Sequence, residues 1–348
     1  MIKFIKPMFK LIFTIIIFLM IILVVLTFFS YNPKEIEELS VPNTENFKVN
    51  LSTIYSITTL NIGYGMYDKD SDSYLFGGNN SISSNSAKVL NNLSELLNSI
   101  NKSDIYLFQD VDLNSKRSFN INEVDLIKNH FKNYFETFAF NNNCIFVPFP
   151  LDNPTGKVQS GLLTLNKFNS EKNFRHNLNN KILWPMSLIK PNLCVLETRI
   201  NTSNGKELVI FNAELSSFKE GNKTRKEQLN KILNLMRYEL AKGNYAICGG
   251  DFNMLLSNHP TPLNIGLQPN RLEDFHKDLL PYGFELVYDP SKATMRELND
   301  PYIKGYNFEA ITDGFIVTPN IIVKSIKTHD NSFKYSNHNP IEMKFKLK

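Results

Sequence analysis

Two short stretches carry the residue types that do acid–base and phosphate chemistry. The run Ala246-Ile247-Cys248-Gly249-Gly250-Asp251-Phe252-Asn253 is apolar, then has two glycines, then a carboxylate and an amide at alternate positions. Glycine lets the backbone turn and approach a ligand closely. Alternation puts Asp251 and Asn253 on one side of an extended chain. A carboxylate beside an amide suits a hydrated divalent cation and a phosphate oxygen. The second stretch, Tyr335-Ser336-Asn337-His338-Asn339-Pro340, supplies a histidine, the side chain whose ordinary titration lies nearest neutral pH. Taken singly, the first is equally a turn and the second a structural loop.

Similar residues stand at the ends of other apolar segments. Thr59-Leu60-Asn61-Ile62-Gly63 ends in an amide and a glycine, and the segment Asp104 to Asp112 (DIYLFQDVD) is a strand ending in acids. Thr312-Asp313-Gly314-Phe315-Ile316-Val317 puts an acid before a strand.

The elements that must position these residues follow from periodicity. Strands are expected over Ser52–Ile62, Ile105–Phe108, Leu162–Leu165, Cys194–Ile200, Leu208–Phe211, Ala246–Cys248 and Phe315–Val317. The last segment alternates Ile341, Met343, Phe345 and Leu347 with Glu342, Lys344 and Lys346, a strand with one buried face. Leu90, Leu93, Leu97 and Ile100 share one helical face, and Val124, Ile127, Phe131 and Tyr134 mark another helix. Thr224-Arg225-Lys226-Glu227 reads as a capping box opening a helix that carries Leu229, Ile232, Leu233, Met236 and Leu240. One mixed α/β domain is expected over 51–348, without internal repeats.

Ahead of that domain, Leu11–Phe29 is nineteen residues without a charge, preceded by Lys3, Lys6 and Lys10. Nineteen helical residues cover about 28 Å, roughly the hydrocarbon thickness of a bilayer. The expectation is one transmembrane anchor over 11–29. The lysines keep residues 1–10 in the cytoplasm and leave the domain extracytoplasmic. A cleaved signal peptide is the rival, but Phe28-Phe29-Ser30-Tyr31-Asn32-Pro33 offers no small-residue cleavage site. Residues 30–50, polar with two prolines in PKEIEELSVPNTENFKVN, read as a stalk.

Composition is ordinary for a globular chain, with 42% hydrophobic and 21% charged residues. The net charge of +4 includes the three N-terminal lysines, so the rest of the chain carries 35 bases against 34 acids, or +1. That balance does not favour nucleic acid, which selects basic domains by phosphate neutralisation. Cys144, Cys194 and Cys248 lack any metal-binding spacing and read as buried free thiols.

Taken in order, these motifs resemble the endonuclease/exonuclease/phosphatase superfamily. Ser160-Gly161-Leu162-Leu163-Thr164-Leu165 and Gly205-Lys206-Glu207-Leu208-Val209-Ile210 resemble its bacterial membrane-anchored branch, and the likeness spans roughly 53–347. It implies a two-layer β-sandwich flanked by helices, the four-layer DNase I-like architecture, with the site at one end. It also implies hydrolysis of a phosphate ester by water with Mg²⁺ or Mn²⁺. By the same resemblance Asn61 touches metal or phosphate, Asp110 is a metal ligand and Asp251 orients or activates the water. Asn253 would bind a phosphate oxygen, while Asp313 holds His338 for phosphate binding or acid–base work. Arg296, in Thr294-Met295-Arg296, either meets a phosphate or is a solvated arginine. Trp184-Pro185 is a rim contact or a packed loop.

Three positions depart from the family pattern. Asp110 stands where the family has Glu, Glu214 where it has His before Leu-Ser, and Asn337 where it has Asp before His. Two readings therefore stay open: a hydrolase with an altered site, its metal displaced toward Glu214, or a catalytically silent member binding a phosphate ligand or a protein. The expected partner is a phosphate ester, nucleic acid or lipid headgroup, with contact to the membrane through 11–29 and no protein partner.

Overall fold

The computed structural model of the chain describes residues 2–40, 47–168, 170–178, 183–218, 221–257 and 271–348. The first element is helix α1 (Ile2–Phe28), of which Lys6–Phe28 is long and apolar enough to cross a membrane and is not buried against anything. The next is a short strand, β1 (Ile36–Leu39), inside the segment expected to be a stalk. It pairs antiparallel with β6 (Ser170–Asn177), and Val49 is fully buried and bridged to Thr202. Much of the supposed stalk is thus stitched to the domain by backbone pairing that needs no apolar period. Residues 41–46 of it lie outside the described residues.

The domain is built on two mixed sheets. One has six strands in the order β14 (Ile321–Thr328), β15 (Ile341–Leu347), β2 (Tyr55–Asn61), β3 (Ile105–Asp112), β5 (Gly156–Asn166) and β4 (Phe135–Val147). The other has seven, in the order β1, β6, β7 (Cys194–Asn201), β8 (Glu207–Glu214), β9 (Tyr245–Asp251), β13 (Asp313–Val317) and β10 (Glu285–Val287). A two-residue ribbon of β11 (Met295–Arg296) and β12 (Glu309–Ala310) lies beside the site. The sheets face each other across Ile57, Leu107, Ile247, Phe315, Met343 and Phe345, all fully buried. β15 buries the four residues its alternation marked and leaves the polar set outward.

Helices cover the two outer faces. α4 (Gly221–Ala241) packs Leu229, Ile232, Leu233 and Met236 against the seven-stranded sheet. It starts ahead of Thr224, so the expected capping box lies inside its first turns rather than before them. On the other sheet lie α2 (Ser86–Ser99), capped by Asn85, and α3 (Glu123–His130), capped by Asn122. α2 buries Val89, Leu93, Leu96 and Leu97, while Leu90 is 44% exposed. The buried face is turned from the expected one, because contact with Leu60 and Phe108 decides it rather than spacing alone. Phe131 and Tyr134 lie beyond the end of α3 and pack on Tyr106. The result is the expected helix–sheet–sheet–helix architecture. Cys144, Cys194 and Cys248 are free and buried.

Candidate active site

The sandwich ends that carry the sequence-marked residues converge. A cavity of about 70 Å³ is lined by Asn61, Asp110, Glu214, Asp251, Asn337 and His338, among others. Pairing explains the convergence. Glu214 and Asp251 lie opposite each other at the ends of the parallel strands β8 and β9, and Asp313 lies opposite Asp251 on antiparallel β13. Asn61 ends β2 beside Gln109 on β3.

The glycines before Asp251 have a different reason from the one expected. A Cβ on Gly250 would stand 1.8 Å from the Ala213 carbonyl oxygen, and one on Gly249 would stand 2.6 Å from the Phe315 ring. The close approach is to neighbouring strands, which brings Asp251 level with Glu214, and not to a ligand.

His338 is 4% exposed and its Nδ1 lies 2.9 Å from Asp313 Oδ2, while Nε2 lies 3.8 Å from Asp251 Oδ2. Asp313 is held in turn by the hydroxyls of Thr294 (2.7 Å) and Thr312 (3.0 Å), which donate to Oδ2. Burial alone would lower the imidazole pKa; the Asp313 carboxylate and its hydrogen bond, with the charges of Asp251 and Asp110, outweigh it and raise it to about 9. Burial, followed by the charge of Asp313, pushes Asp251 up to about 7 against the pull of His338. Asp251 Oδ1 accepts from the Asn253 backbone N–H at 2.9 Å. Asn253 has φ +49 and donates its Nδ2 to the Leu215 carbonyl at 2.9 Å and to Asp251 Oδ2 at 3.2 Å.

The opposite wall is built from acids. Asp110 sits on a bulge of β3, where pairing with β5 shifts between Phe108 and Val111, and has φ +54. A non-glycine residue there costs on the order of 1–3 kcal/mol and re-aims the side chain. Burial raises the Asp110 pKa, opposed by hydrogen bonds from Tyr64 and Asn61 and by the charge of Arg117. Burial also holds Glu214 well above the carboxylate range, reinforced by the charges of Asp110 and Asp251 and by a hydrogen bond with Asp110. Asn141 donates its Nδ2 to Glu214 at 3.0 Å. Asn337 Oδ1 is buried with no partner among the described residues, and lies 2.9 Å from where a Cβ of Gly63 would be.

Asp110, Glu214 and Asp251 thus crowd hard oxygen donors around one small cavity, with the Asn61 and Asn337 amides beside them. Such a set fits Mg²⁺ or Mn²⁺, whose charge would offset the acid–acid repulsion. A second grouping with metal-ligand spacing, Asp251, Asp313 and His338, has its ligand atoms all within 4.8 Å of one another.

Arg296 is not solvated, although it is among the residues that line the cavity. It is fully buried and donates to the carbonyls of Asp68 (2.5 Å), Ser71 (3.0 Å), Glu297 (3.1 Å) and Asp300 (3.2 Å). A guanidinium surrounded by loop carbonyls holds the loops together through Nη1 and Nη2, and its Nε is left without a partner among the described residues.

Several contributors escape a sequence reading. Tyr64, in a Gly-Tyr-Gly turn with φ +56, lies under the Arg117 guanidinium, and Arg117 makes a bidentate pair with buried Asp112 (3.1 and 2.8 Å). Gln109 Nε2 donates to Asn212 Oδ1 at 2.8 Å, joining the two sheets beneath the site. The positive-φ requirement at Gly63 and Gly65 was the signal available for Tyr64. The Gln109–Asn212 and Arg117–Asp112 links have none, since ordinary polar residues acquire these roles only by sheet packing.

No protein-family model and no curated protein matches the sequence. Solved structures match the fold. An endonuclease/exonuclease/phosphatase from Beutenbergia cavernae superposes with a TM-score of 0.55 at 15% identity, covering 84% of this chain and 72% of that one. A family protein from Leptotrichia buccalis gives a TM-score of 0.54 at 15% identity, covering 84% of this chain and 100% of that one. ANGEL2, a 2′,3′-cyclic phosphatase, gives 0.54 at 13% identity, covering 84% and 95%. The chain has the fold of the endonuclease/exonuclease/phosphatase proteins, as the motif order implied.

Proposed function

We propose that this chain is a divalent-metal-dependent phosphoester hydrolase, held on a membrane by α1, with its domain on the extracytoplasmic side. The observation that carries the reading is the buried Asp313–His338 pair facing Asp251 at the strand ends of a sandwich with this fold. The solved structures of the same fold include nucleases and phosphatases by name, which supports a phosphate ester as the substrate.

The chemistry follows from the protonation states. With a pKa raised to about 9, His338 is a cation at neutral pH and neutralises a phosphate oxygen or gives a proton to the leaving group. Asp251, pushed up to about 7, accepts from and orients a water for attack. Asp313 holds the His338 ring, and Asn253 holds Asp251. Asn61, Asp110 and Glu214 would hold a Mg²⁺ or Mn²⁺, which when bound supplies charge stabilisation to the phosphate.

A specific observation favours a second reading. The Asp110–Glu214 pair is held toward its neutral, hydrogen-bonded form, which suits a phosphate-ligand or protein-binding module without turnover. Calorimetric Mg²⁺ and Mn²⁺ binding to the full chain in detergent, with hydrolysis of bis-p-nitrophenyl phosphate and an Asp251→Ala control, separates the two. Metal binding with hydrolysis that the control abolishes supports the enzyme. A folded protein that binds neither ion and releases no product supports the binding module.

A further inference from the structure

The pairing register fixes where the chain enters the domain. Glu214 lies opposite Asp251, Ala213 opposite Val195, Cys194 opposite Asn177, and His176 opposite Ile36. The start of β1 is therefore at the same end of the seven-stranded sheet as the carboxyls of the site. Residues 29–35 join it to α1, a reach of at most about 25 Å at ~3.5 Å per residue. Four strand spacings from β1 to β9, at about 4.8 Å each, come to about 19 Å. Helix end and site therefore lie at one end of the molecule.

Contacts hold the helix end there. Trp184 Nε1 donates to Thr27 Oγ1 at 2.9 Å, and Asn192 Nδ2 donates to the Tyr31 carbonyl at 3.2 Å. Trp184, Leu183 and Leu151 are 58%, 77% and 80% exposed at this end. Apolar and indole side chains so placed suit the headgroup layer of a bilayer.

Next to the site lies a groove of about 280 Å³, near the lower end of small-molecule pockets at about 300 Å³, and Met186, Ile189 and Pro191 in its lining belong to the segment whose Trp184 and Asn192 meet the helix end. Val147, Phe149, Val158, Met186, Ile189 and Phe218 make it largely apolar. It shares Tyr64, Asp110 and Glu214 with the catalytic cavity, so the two are continuous.

We infer that the substrate is a membrane lipid bearing a phosphate ester, its phosphate at Asp251 and His338 and an acyl chain lying along this groove. The inference rests on the hydrolase reading and on α1 as an anchor. In the reaction the water oxygen bonds to phosphorus and one ester P–O bond breaks. The water loses one proton on the Asp251 side, and the leaving alkoxide gains one from His338. Each methylene moved from water into the groove raises affinity about fourfold (about 0.8 kcal/mol, at ~1.4 kcal/mol per factor of ten). A chain-bearing substrate should therefore exceed its bare headgroup ester by at least about 100-fold.

The test reconstitutes the full chain in vesicles of phosphatidylcholine, phosphatidylethanolamine and phosphatidylglycerol. It measures release of water-soluble product, beside hydrolysis of glycerophosphodiesters, a single-stranded oligonucleotide and bis-p-nitrophenyl phosphate. The expected result is lipid cleavage at least about 100-fold more efficient than that of the glycerophosphodiesters. Met186→Glu and Ile189→Glu, on partly exposed groove positions, should cut lipid cleavage at least tenfold and leave bis-p-nitrophenyl phosphate hydrolysis within twofold. Hydrolysis of the soluble esters or the oligonucleotide without a lipid preference overturns the lipid assignment and keeps the hydrolase. If no substrate turns over, the hydrolase reading fails, and Trp184, the single tryptophan of the chain, decides the lipid question. Quenching of its fluorescence by acyl-brominated phosphatidylcholine, lessened by Met186→Glu, keeps a lipid as the ligand. Quenching that is absent or indifferent to the variant overturns it.

Discussion

Across the cavity, the wall built by β9, β13 and β15 differs from the wall built by β3 and β8. On the first, Asp313 accepts from two threonine hydroxyls and the imidazole, and Asp251 accepts from the Asn253 backbone and side chain. These charges are opposite in sign and positioned by partners that are themselves buried. On the second, Asp110 and Glu214 are both acids whose charges oppose each other, and the Asn337 oxygen, in the lining of the same cavity, has no partner among the described residues. A buried polar atom without a partner costs about 1–3 kcal/mol. Two of the three departures from the family pattern, Asp110 and Glu214, fall on this second wall, and the third, Asn337, lines the same cavity beside His338 in the chain. One wall is complete as it stands, and the other sets acid against acid, a repulsion that a cation would offset.

The sharpest break of this contrast is Asp251→Ala, which removes the carboxylate facing both walls. Hydrolysis of bis-p-nitrophenyl phosphate should fall at least about 10³-fold, within the span of lost acid–base catalysis, with the far-ultraviolet circular dichroism unchanged. Retained turnover would move the chemistry off this wall. Asp313→Asn should cost about 10²-fold and shift the pH profile. His338 stays a cation up to about 9 because of Asp313, so turnover that needs the cation falls as pH rises through about 9. Without the carboxylate, burial is opposed only by the charges of Asp251 and Asp110, and the fall should move to lower pH. A profile that stays in place would give Asp313 a purely structural role.

The acid wall is tested by stability. The folded-state pKa of Glu214 is raised, so the native state binds the proton more tightly than the unfolded chain. Its contribution is fully present below about 4.5, the ordinary value, and is lost as pH rises through the raised one. In chelator, the melting temperature should therefore decline from about pH 5 to pH 8. Glu214→Gln should flatten that decline and raise the melting temperature at pH 8 by about 2–4 °C. Mn²⁺ should do the same for the wild-type chain but bind Glu214→Gln about tenfold more weakly. If Mn²⁺ stabilises both equally, Glu214 is outside the metal site. The double variant Glu214→His with Asn337→Asp should raise turnover by about tenfold; no gain would exclude decay at these two positions as the cause of weak activity.

How much of this was legible depends on the range of the interactions. β15 was readable because its alternation is local, and the site strands because each ends in a marked residue after an apolar run. The pairing of Asp313 with His338 was readable through the family resemblance, and the chemistry of a carboxylate beside an imidazole made it sensible. β1 was not, since IEEL carries no period and gains its structure from the backbone of β6. The bulge at Asp110 was hidden too, because it arises from register between β3 and β5. The Glu214–Asp110 contact joins strands of different sheets, and the sequence marked both residues as anomalies without indicating that they meet. Arg296 shows the opposite case: of the two expectations, a phosphate contact and a solvated side chain, burial overturns the second.

Arg296→Gln should have the smallest effect on turnover of these changes. The guanidinium joins residues 68–71 to residues 297–300 through four carbonyls, on the side of the complete wall. Glutamine carries two donors where arginine carries five, so at least two buried carbonyls lose a partner, each costing about 1–3 kcal/mol. The melting temperature should fall by several degrees while KM for bis-p-nitrophenyl phosphate stays within twofold. A structural residue and a phosphate ligand differ in that split: losing a ligand raises KM and leaves the fold. A tenfold rise in KM without a drop in melting temperature would return Arg296 to the site, and would make the complete wall a phosphate-binding surface as well as a catalytic one.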